Sequence, residues 1–245
     1  RLYGTPPSLS PCTNAWVQKA ELNAALTAVQ ARGNDPRFFY NLFLCQYGVE
    51  DNLTYTNDLF AFYQSLQGGG RRICVVNGDP APPGPEEIAA VKRGNYASAE
   101  QLAAGLAANI RYPANVELQR LMTRAFIDLV LEEGERCGGS VAKLTSRAVY
   151  LLCWLNRYQK ELFPDWKAPE VAVFLQFGRC ASDTGALFLR LLARLPVDVV
   201  LLLPNLNEGS ALHAPDLLEV HCPQSVSLDR FPVDQNQARV TTAAY

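Results

Sequence analysis

The chain has 245 residues, of which 49% are hydrophobic and 19% are charged, a composition typical of a globular protein and not of a disordered chain. Its formal net charge of −2 argues against a general binder of nucleic acids or membrane surfaces. The longest apolar helix-like run, Ala148–Leu155, is far shorter than the roughly 20 residues of a membrane span, so we expect neither nucleic acid nor a membrane among the partners.

The first 80 residues are predicted to form an arm, two helices and two strands. Residues 1–35 comprise an arm rich in Pro, Ser and Thr and a helix over Ala15–Arg32 that ends at Gly33. Residues 36–80 form a first α/β segment, because a dense apolar run bounded by Pro and Gly predicts a buried strand. The elements predicted in this segment are a strand over Phe38–Tyr47, a helix over Thr56–Gln67 and a strand over Arg72–Val76.

Residues 81–165 are predicted to be a helical region. The proline-rich stretch Pro80–Pro85 in front of it is the best candidate linker, and Ser98 with Gln101 resembles a capping box. The predicted helices are Glu86–Lys92, Ala99–Ile110, Pro113–Gly134 and Ser140–Phe163. An apolar stripe at helical spacing on the last helix is typical of core packing and not of a cofactor site: Leu144, Ala148, Leu151, Leu155 and Leu162.

Residues 166–245 are predicted to form a second α/β segment. The strands predicted over Val171–Phe177 and Val197–Leu203 are continuous apolar runs, as expected of parallel strands covered on both faces. A helix over Ser182–Leu195 lies between them, so a right-handed βαβ unit is the default, and Leu217–His221 is predicted to add a strand. The predicted fold class is α/β, with Rossmann-like parallel βαβ units and a helical insert between them.

The two α/β segments share an internal similarity. Phe43–Gly48 resembles Phe174–Gly178, and each run is followed by a predicted helix and then by a strand that leads to Asn77 or Asn205. A duplicated half-sheet is one interpretation. Chance likeness is the other, because buried strands share a composition.

The cysteines and histidines restrict the chemistry. Seven cysteines are spread singly without a CxxC pair, so zinc and thioredoxin-like sites lack their usual basis, and scattered thiols favour the cytoplasm. The two histidines, His213 and His221, are too few for a histidine metal triad, and we expect no metal site. His221 lies in an apolar stretch and is predicted to be a core residue.

Since the chain starts at Arg1 and ends abruptly at Tyr245, we interpret it as a fragment truncated at its C-terminus.

Two loops are candidates for ligand binding, because ligands of open α/β sheets bind beyond the carboxyl ends of the strands. In the first loop, Ser182 or Asp183 is predicted to cap the following helix, whose free N–H groups form an anion site. Arg179 can pair there with a phosphate or a carboxylate. The alternative is a capped turn with an exposed arginine, since the loop contains neither a GxGxxG nor a Walker motif. Cys180 before the helix is a weaker candidate nucleophile, with no identified base.

The second loop carries Asn205, Asn207 and Glu208. Short polar side chains at a strand end can orient a hydroxyl group or hold a hard cation. The alternative is ordinary turn chemistry, which also favours Asn and Gly. The equivalent loop, Asn77–Asp79, has the same appeal and the same alternative.

Several phrases along the chain resemble the YceG-like family: Phe39–Leu44, Arg93–Tyr96, Cys153–Tyr158, Leu195–Leu201, Pro204–Asn207 and Thr242–Tyr245. The resemblance spans the chain from about Phe38 to its end. It implies a component of a bacterial biosynthetic module that is encoded with tellurite-resistance (Ter-type) stress genes, beside enzymes of small-molecule or nucleoside-like metabolism. It supplies no active-site residues, and family members are longer than this chain.

Two functional hypotheses follow. The first is a protein that binds a small anionic, phosphorylated or nucleotide-like ligand at the strand-end loops; its reaction, if it has one, and any cofactor are unassigned. The second is a non-catalytic scaffold that contacts other proteins of the stress module through the helical region, Glu86–Phe163. The absence of a recognisable acid, base or metal cluster in the sequence motivates the second hypothesis.

Overall fold

A computed structural model describes residues 9–112 and 114–234 of the chain. The first residues of the predicted arm, Pro113 and the terminal phrase Thr242–Tyr245 lie outside the described residues.

The described residues form seven strands, which lie in two parallel sheets. They are β1 (Ser10–Thr13), β2 (Phe38–Asn41), β3 (Phe43–Tyr47), β4 (Ile73–Asn77), β5 (Ala172–Phe177), β6 (Val197–Leu203) and β7 (Leu218–His221). The central sheet has five strands in the order β4-β5-β6-β3-β7, and β1 pairs with β2 beside it. Every pairing between these strands is parallel, so the predicted α/β class is confirmed.

Seven α-helices accompany the strands within the described part of the chain. They are α1 (Val29–Arg32), α2 (Tyr55–Gly68), α3 (Pro85–Ala89), α4 (Ala99–Ala107), α5 (Val116–Arg136), α6 (Val141–Leu162) and α7 (Asp183–Ala193), and a 3-10 helix spans Leu22–Leu26. Helices α4 to α7 pack on one face of the central sheet, and α2 packs on the other face. Among the described residues, no helix is long and apolar enough to cross a membrane.

The central strands behave as their apolar runs predict. Every residue of β5 and β6 is buried, because helices cover both faces of the sheet. Along β5, Phe174 faces the α4–α7 layer and Leu175 faces the α2 layer. The predicted stripe on α6 is buried throughout, so its assignment to the core is confirmed.

The prediction of one strand over Phe38–Tyr47 is wrong, because two strands, β2 and β3, replace it. At the break, the backbone N–H of Leu42 donates to Asp198 Oδ1 (2.8 Å) and the Asn41 amide donates to the carbonyls of Ala193 and Val197 (2.8 and 3.0 Å). A side-chain acceptor thus takes the Leu42 N–H, while the Leu42 carbonyl still accepts from the Val199 N–H of β6 (2.8 Å), and the chain passes from the small sheet into the central one.

The prediction of a helix over Ala15–Arg32 is also wrong. Only the 3-10 helix and the four-residue α1 form there. The buried Arg32 guanidinium takes the carbonyls of Ala25 and Thr27 as acceptors (3.1 and 3.0 Å) and lies 4.2 Å from the ring centre of Trp16. Because Arg32 also pairs with Asp198, 166 residues away, its contacts override the local helix propensity of this Ala- and Leu-rich segment.

The proline-rich stretch in front of α3 is held against α6. The indole of Trp154 and the guanidinium of Arg157 both donate to the Ala81 carbonyl (3.0 and 2.7 Å), and Arg157 also pairs with Glu87. Helix α3 ends before the predicted Lys92, because the Asn109 side chain exchanges two hydrogen bonds with the backbone of Lys92 (both 2.8 Å).

The two similar α/β segments have different topologies. After β3, the chain passes through α2 to β4 at the far edge of the sheet, with β5 and β6 lying between the two strands. After β5, it passes through α7 directly to the neighbouring strand β6. Because α2 and α7 also cover opposite faces, the topology does not support a duplicated half-sheet.

Candidate functional site

The switch point of the central sheet lies between β6 and β3. The chain leaves β3 toward the α2 face, whereas the segment after β6 places Leu212 in the core of the opposite face. Neighbouring parallel strands whose connections diverge in this way open a crevice at their carboxyl ends, where ligands of such sheets bind.

Here a later part of the chain covers that crevice. Residues 222–231, which we call the strap, run from the end of β7 across the carboxyl edge of the sheet toward β4. Val49 and Gln224 exchange two backbone hydrogen bonds (2.9 and 3.0 Å), the Val226 N–H donates to the Pro204 carbonyl (3.0 Å), and the Phe231 N–H donates to Asn77 Oδ1 (2.8 Å).

Gly48 permits this close approach. Its φ of +74° is a conformation that favours glycine, and a Cβ there would lie 2.8 Å from the Cys222 carbonyl oxygen and 2.7 Å from that of Gln224. The strap therefore closes over the switch point only because the residue after β3 has no side chain.

An open cleft remains beside the strap, over the carboxyl ends of β4, β5 and β6. We call it the carboxyl-edge cleft; its volume is about 300 Å³, at the small end of the range of ligand sites. Its lining consists of Asn77, Gly78, Phe177, Gly178, Arg179, Pro204, Asn205, Glu208, Ser227, Leu228 and Asp229. One guanidinium, two carboxylates and two amide side chains thus surround a mostly polar space.

Three of the predicted site residues meet in this cleft: Arg179 from the loop after β5, and Asn205 and Glu208 from the loop after β6. They meet because the carboxyl ends of parallel neighbours share one edge of the sheet, as predicted. Sequence reasoning missed the strap residues Ser227 and Asp229, since an irregular segment carries no periodic signal that would place it over this edge.

The other three predicted residues do not line the cleft. Ser182 caps α7, with its Oγ accepting from the Gly185 N–H (2.9 Å). Asp183 lies 3.6 Å from the Arg147 guanidinium. Asn207 is exposed, and its N–H donates to Asn205 Oδ1 (3.0 Å) within an ordinary Asx turn.

The N–H groups before α7, predicted to be free for an anion, are already occupied. Asp79 Oδ2 accepts from the N–H groups of Ala181 and Ser182 (both 3.0 Å), and its Oδ1 accepts from the Gln176 amide (3.0 Å). A carboxylate of the chain itself thus fills the position that the sequence assigned to an external anion. Asp79 belongs to the loop singled out in the sequence, but its partners lie about a hundred residues away.

Cys180, the weaker candidate nucleophile of the sequence, lies in surroundings that disfavour its thiolate. Its side chain is fully buried, and burial together with the negative charge of Asp79 raises the pKa of the thiol to about 12. The thiolate that a nucleophile requires is therefore almost absent near neutral pH.

The prediction that His221 is a core residue is wrong. Its side chain is 69% exposed, because β7 is an edge strand on which His221 points to the surface. The imidazole stacks on Tyr47, with ring centres 4.8 Å apart, and lies 3.7 Å from Glu219 Oε2. Within residues 9–112 and 114–234, no group of three or more His, Cys, Asp or Glu side chains is arranged to hold a metal ion.

Comparison with known proteins gives one match. A family model described as the YceG domain matches residues 19–245, which is nearly the whole chain. The searches of curated proteins and of solved structures found no match. The chain belongs to the YceG family.

Proposed function

We propose that the chain binds a small polar ligand with an anionic group in the carboxyl-edge cleft. The observation that carries this proposal is the convergence of Arg179, Asn205 and Glu208 on one cleft at the carboxyl ends of adjacent parallel strands.

The lining suggests how such a ligand would be held. Arg179 is the only cationic side chain among the described residues of the cleft, and a guanidinium binds a phosphate or carboxylate through two parallel hydrogen bonds. The carboxylates of Glu208 and Asp229 accept hydrogen bonds from hydroxyl or amino groups, and the Asn205 amide can do either.

The balance of charge narrows the ligand class. Two carboxylates face one guanidinium, so a polyphosphate would meet repulsion that a single anionic group avoids. A monophosphate with several hydroxyl groups, such as a sugar phosphate or a nucleoside monophosphate, suits both the polarity and the volume of the cleft.

We further propose, from the family resemblance, that this binding serves a cytoplasmic biosynthetic module of the bacterial tellurite and stress response. The proposal is one of binding and assigns no reaction. The scaffold hypothesis is the alternative that a failed binding experiment would favour.

The experiment is a calorimetric titration of the protein with sugar phosphates, nucleoside monophosphates and inorganic phosphate, after a thermal-shift screen of the same compounds. A ligand at a hundredfold excess over its dissociation constant adds about 2.7 kcal/mol of stability. Arg179→Ala should weaken binding at least tenfold, because a charge-assisted hydrogen-bonded pair is lost (about 1.5–3 kcal/mol).

Arg93→Ala is the matched control, since Arg93 is an exposed arginine outside the cleft and its loss should leave binding unchanged. If no phosphorylated compound binds, or if Arg179→Ala and Asn205→Ala both bind as well as the unaltered protein, the proposal is wrong. Capture of other module proteins by the Glu86–Phe163 region would then be the next measurement.

A further inference from the structure

A second cleft lies at the opposite, amino edge of the central sheet. It opens where β4 and β5 begin, between the end of α2 and the end of α6, and its volume is about 310 Å³. We call it the amino-edge cleft; the lining residues that matter here are Leu66, Arg71, Arg72, Leu162, Trp166 and Glu170.

A buried ion cluster lies beside this cleft. Arg32 pairs with both carboxylate oxygens of Asp198 (2.8 Å each), and Arg71 Nη2 lies 2.7 Å from Asp198 Oδ2. The side chains of Arg32 and Asp198 are fully buried, and that of Arg71 is 11% exposed. Two guanidinium groups thus share one carboxylate, and the cluster carries a net charge of +1.

The excess charge belongs to the arginine that lines the cleft. The Arg32 guanidinium donates five hydrogen bonds. Their acceptors are the carbonyls of Thr27, Tyr40 and Ala25 and both carboxylate oxygens of Asp198. Arg71 donates one hydrogen bond from each nitrogen, to Val171 O, Ala25 O and Asp198. Because a guanidinium has five N–H groups, two of those of Arg71 have no acceptor within the described part of the chain.

Beside Arg71, the cleft has both a second cation that could pair with the charged group of an anion and an apolar wall that could contact the rest of it. Arg72 is exposed on the same cleft and forms no ion pair with any other described residue. Leu66, Leu162 and Trp166 form the apolar wall, and Glu170 is the only carboxylate among the described lining residues. A buried positive charge without a full complement of negative charge is costly, and a bound anion removes that cost.

We propose that the amino-edge cleft is a second ligand site, which binds a small organic anion with a carboxylate or phosphate head and an apolar body. The head would lie against Arg71 and Arg72, and the body against Leu66, Leu162 and Trp166. This inference shares no residue with the carboxyl-edge cleft and does not depend on the function proposed for it.

The test uses small probes of matched shape. Benzoate and phenyl phosphate are titrated into the full chain, with benzamide as the neutral analogue and inorganic phosphate as the head without a body. We expect benzoate or phenyl phosphate to bind at least tenfold more tightly than benzamide, and phenyl phosphate to bind more tightly than inorganic phosphate. Binding of benzamide equal to that of benzoate, or no binding of either aromatic anion, would overturn the proposal.

Variants then locate the binding. Arg71 is not substituted, because its loss would also remove a partner of the buried Asp198 and so destabilise the fold. Arg72→Ala removes one cation, and Ser65→Trp narrows the mouth of the cleft from an exposed helix position. Each should weaken binding of benzoate at least fivefold, whereas Arg93→Ala, which replaces an exposed arginine outside both clefts, should not change it. Unchanged binding in both cleft variants contradicts the assignment, and loss of binding in Arg179→Ala would place the anion in the carboxyl-edge cleft instead.

Discussion

The two edges of the central sheet differ in how the chain balances its own charges. At the carboxyl edge, acids exceed bases: Glu208 and Asp229 line one cleft with Arg179, and Asp79 satisfies backbone N–H groups before α7 that parallel sheets often leave for a ligand. At the amino edge, bases exceed acids: Arg32, Arg71 and Arg72 lie near Asp198 and Glu170. Ligand sites in open sheets are expected at carboxyl ends, yet the buried cluster of Arg32, Arg71 and Asp198, with its excess positive charge, is at the other end.

The largest effect should come from removing the carboxylate at the amino edge. Asp198→Asn leaves two buried guanidinium groups without a counter-ion, and breaking a buried pair in this way costs about 3–5 kcal/mol. Unfolding in urea should show a loss of this size. Asp128→Asn is the matched control, because Asp128 is half-exposed and 3.9 Å from Arg124, and surface pairs contribute about 0–1 kcal/mol.

The same measurement can contradict the difference in charge balance between the two edges. If Asp198→Asn folds and its free energy of unfolding falls by less than about 1 kcal/mol, the excess positive charge at the amino edge does not destabilise the protein. The contrast between the two edges would then have no energetic basis.

The next effect tests the closure of the carboxyl edge by the strap. Gly48→Ala places a methyl group within 2.8 Å of the carbonyls of Cys222 and Gln224, at a φ of +74°. We expect a loss of about 2–4 kcal/mol from strain and overpacking together. Gly78→Ala is the control, since Gly78 has a similar φ of +79° and open space where its Cβ would lie, so that it loses only about 1 kcal/mol. Equal losses of unfolding free energy in the two variants would show that the strap does not lie in close contact with Gly48.

A smaller effect is expected for Asp79, the internal carboxylate of the carboxyl edge. Asp79→Ala removes the acceptor of two backbone N–H groups and of the Gln176 amide, which should cost about 1–3 kcal/mol. Because the N–H groups before α7 become free, phosphate or sulfate should stabilise this variant more than the unaltered protein.

Thermal unfolding with and without sulfate measures that difference, with chloride at equal ionic strength as the reference. Equal stabilisation of both proteins by sulfate would mean that Asp79 does not occupy an anion site.

Local sequence patterns predict part of this arrangement and long-range contacts decide the rest. The apolar runs of β5 and β6 and the stripe of α6 depend on neighbours in sequence, and they were predicted within one or two residues. The meeting of Arg179 with Asn205 follows from the geometry of parallel strands. In contrast, the break at Leu42 depends on Asp198, 156 residues away, and no local pattern reveals such a partner.

The same distinction explains the missed parts of the candidate site. Asp79 was visible as a loop residue, but its role depends on Ala181 and Ser182, which come about a hundred residues later. The strap has neither helical nor strand periodicity, and its path is set by one or two hydrogen bonds to the end of each of three strands. The edge of the sheet at which Arg179, Asn205 and Glu208 meet was predictable, whereas the side chains that fill or cover that edge were not.

The smallest effect concerns the thiol buried beneath Asp79. Burial, and then the charge of Asp79, raise the pKa of Cys180 from 9.0 to about 12, so the folded protein holds this proton where the unfolded chain releases it. This thiol does not affect the free energy of unfolding below about pH 9. Above that pH the free energy of unfolding falls as the pH rises toward 12, and the loss reaches about 1 kcal/mol near pH 9.5. Cys180→Ala should therefore show a flatter decline of the unfolding free energy between pH 8 and about pH 10 than the unaltered protein, whatever its offset at neutral pH. Parallel curves would mean that Cys180 does not contribute to the alkaline loss, and the acidic surroundings of the carboxyl edge would then not extend to the core beneath it.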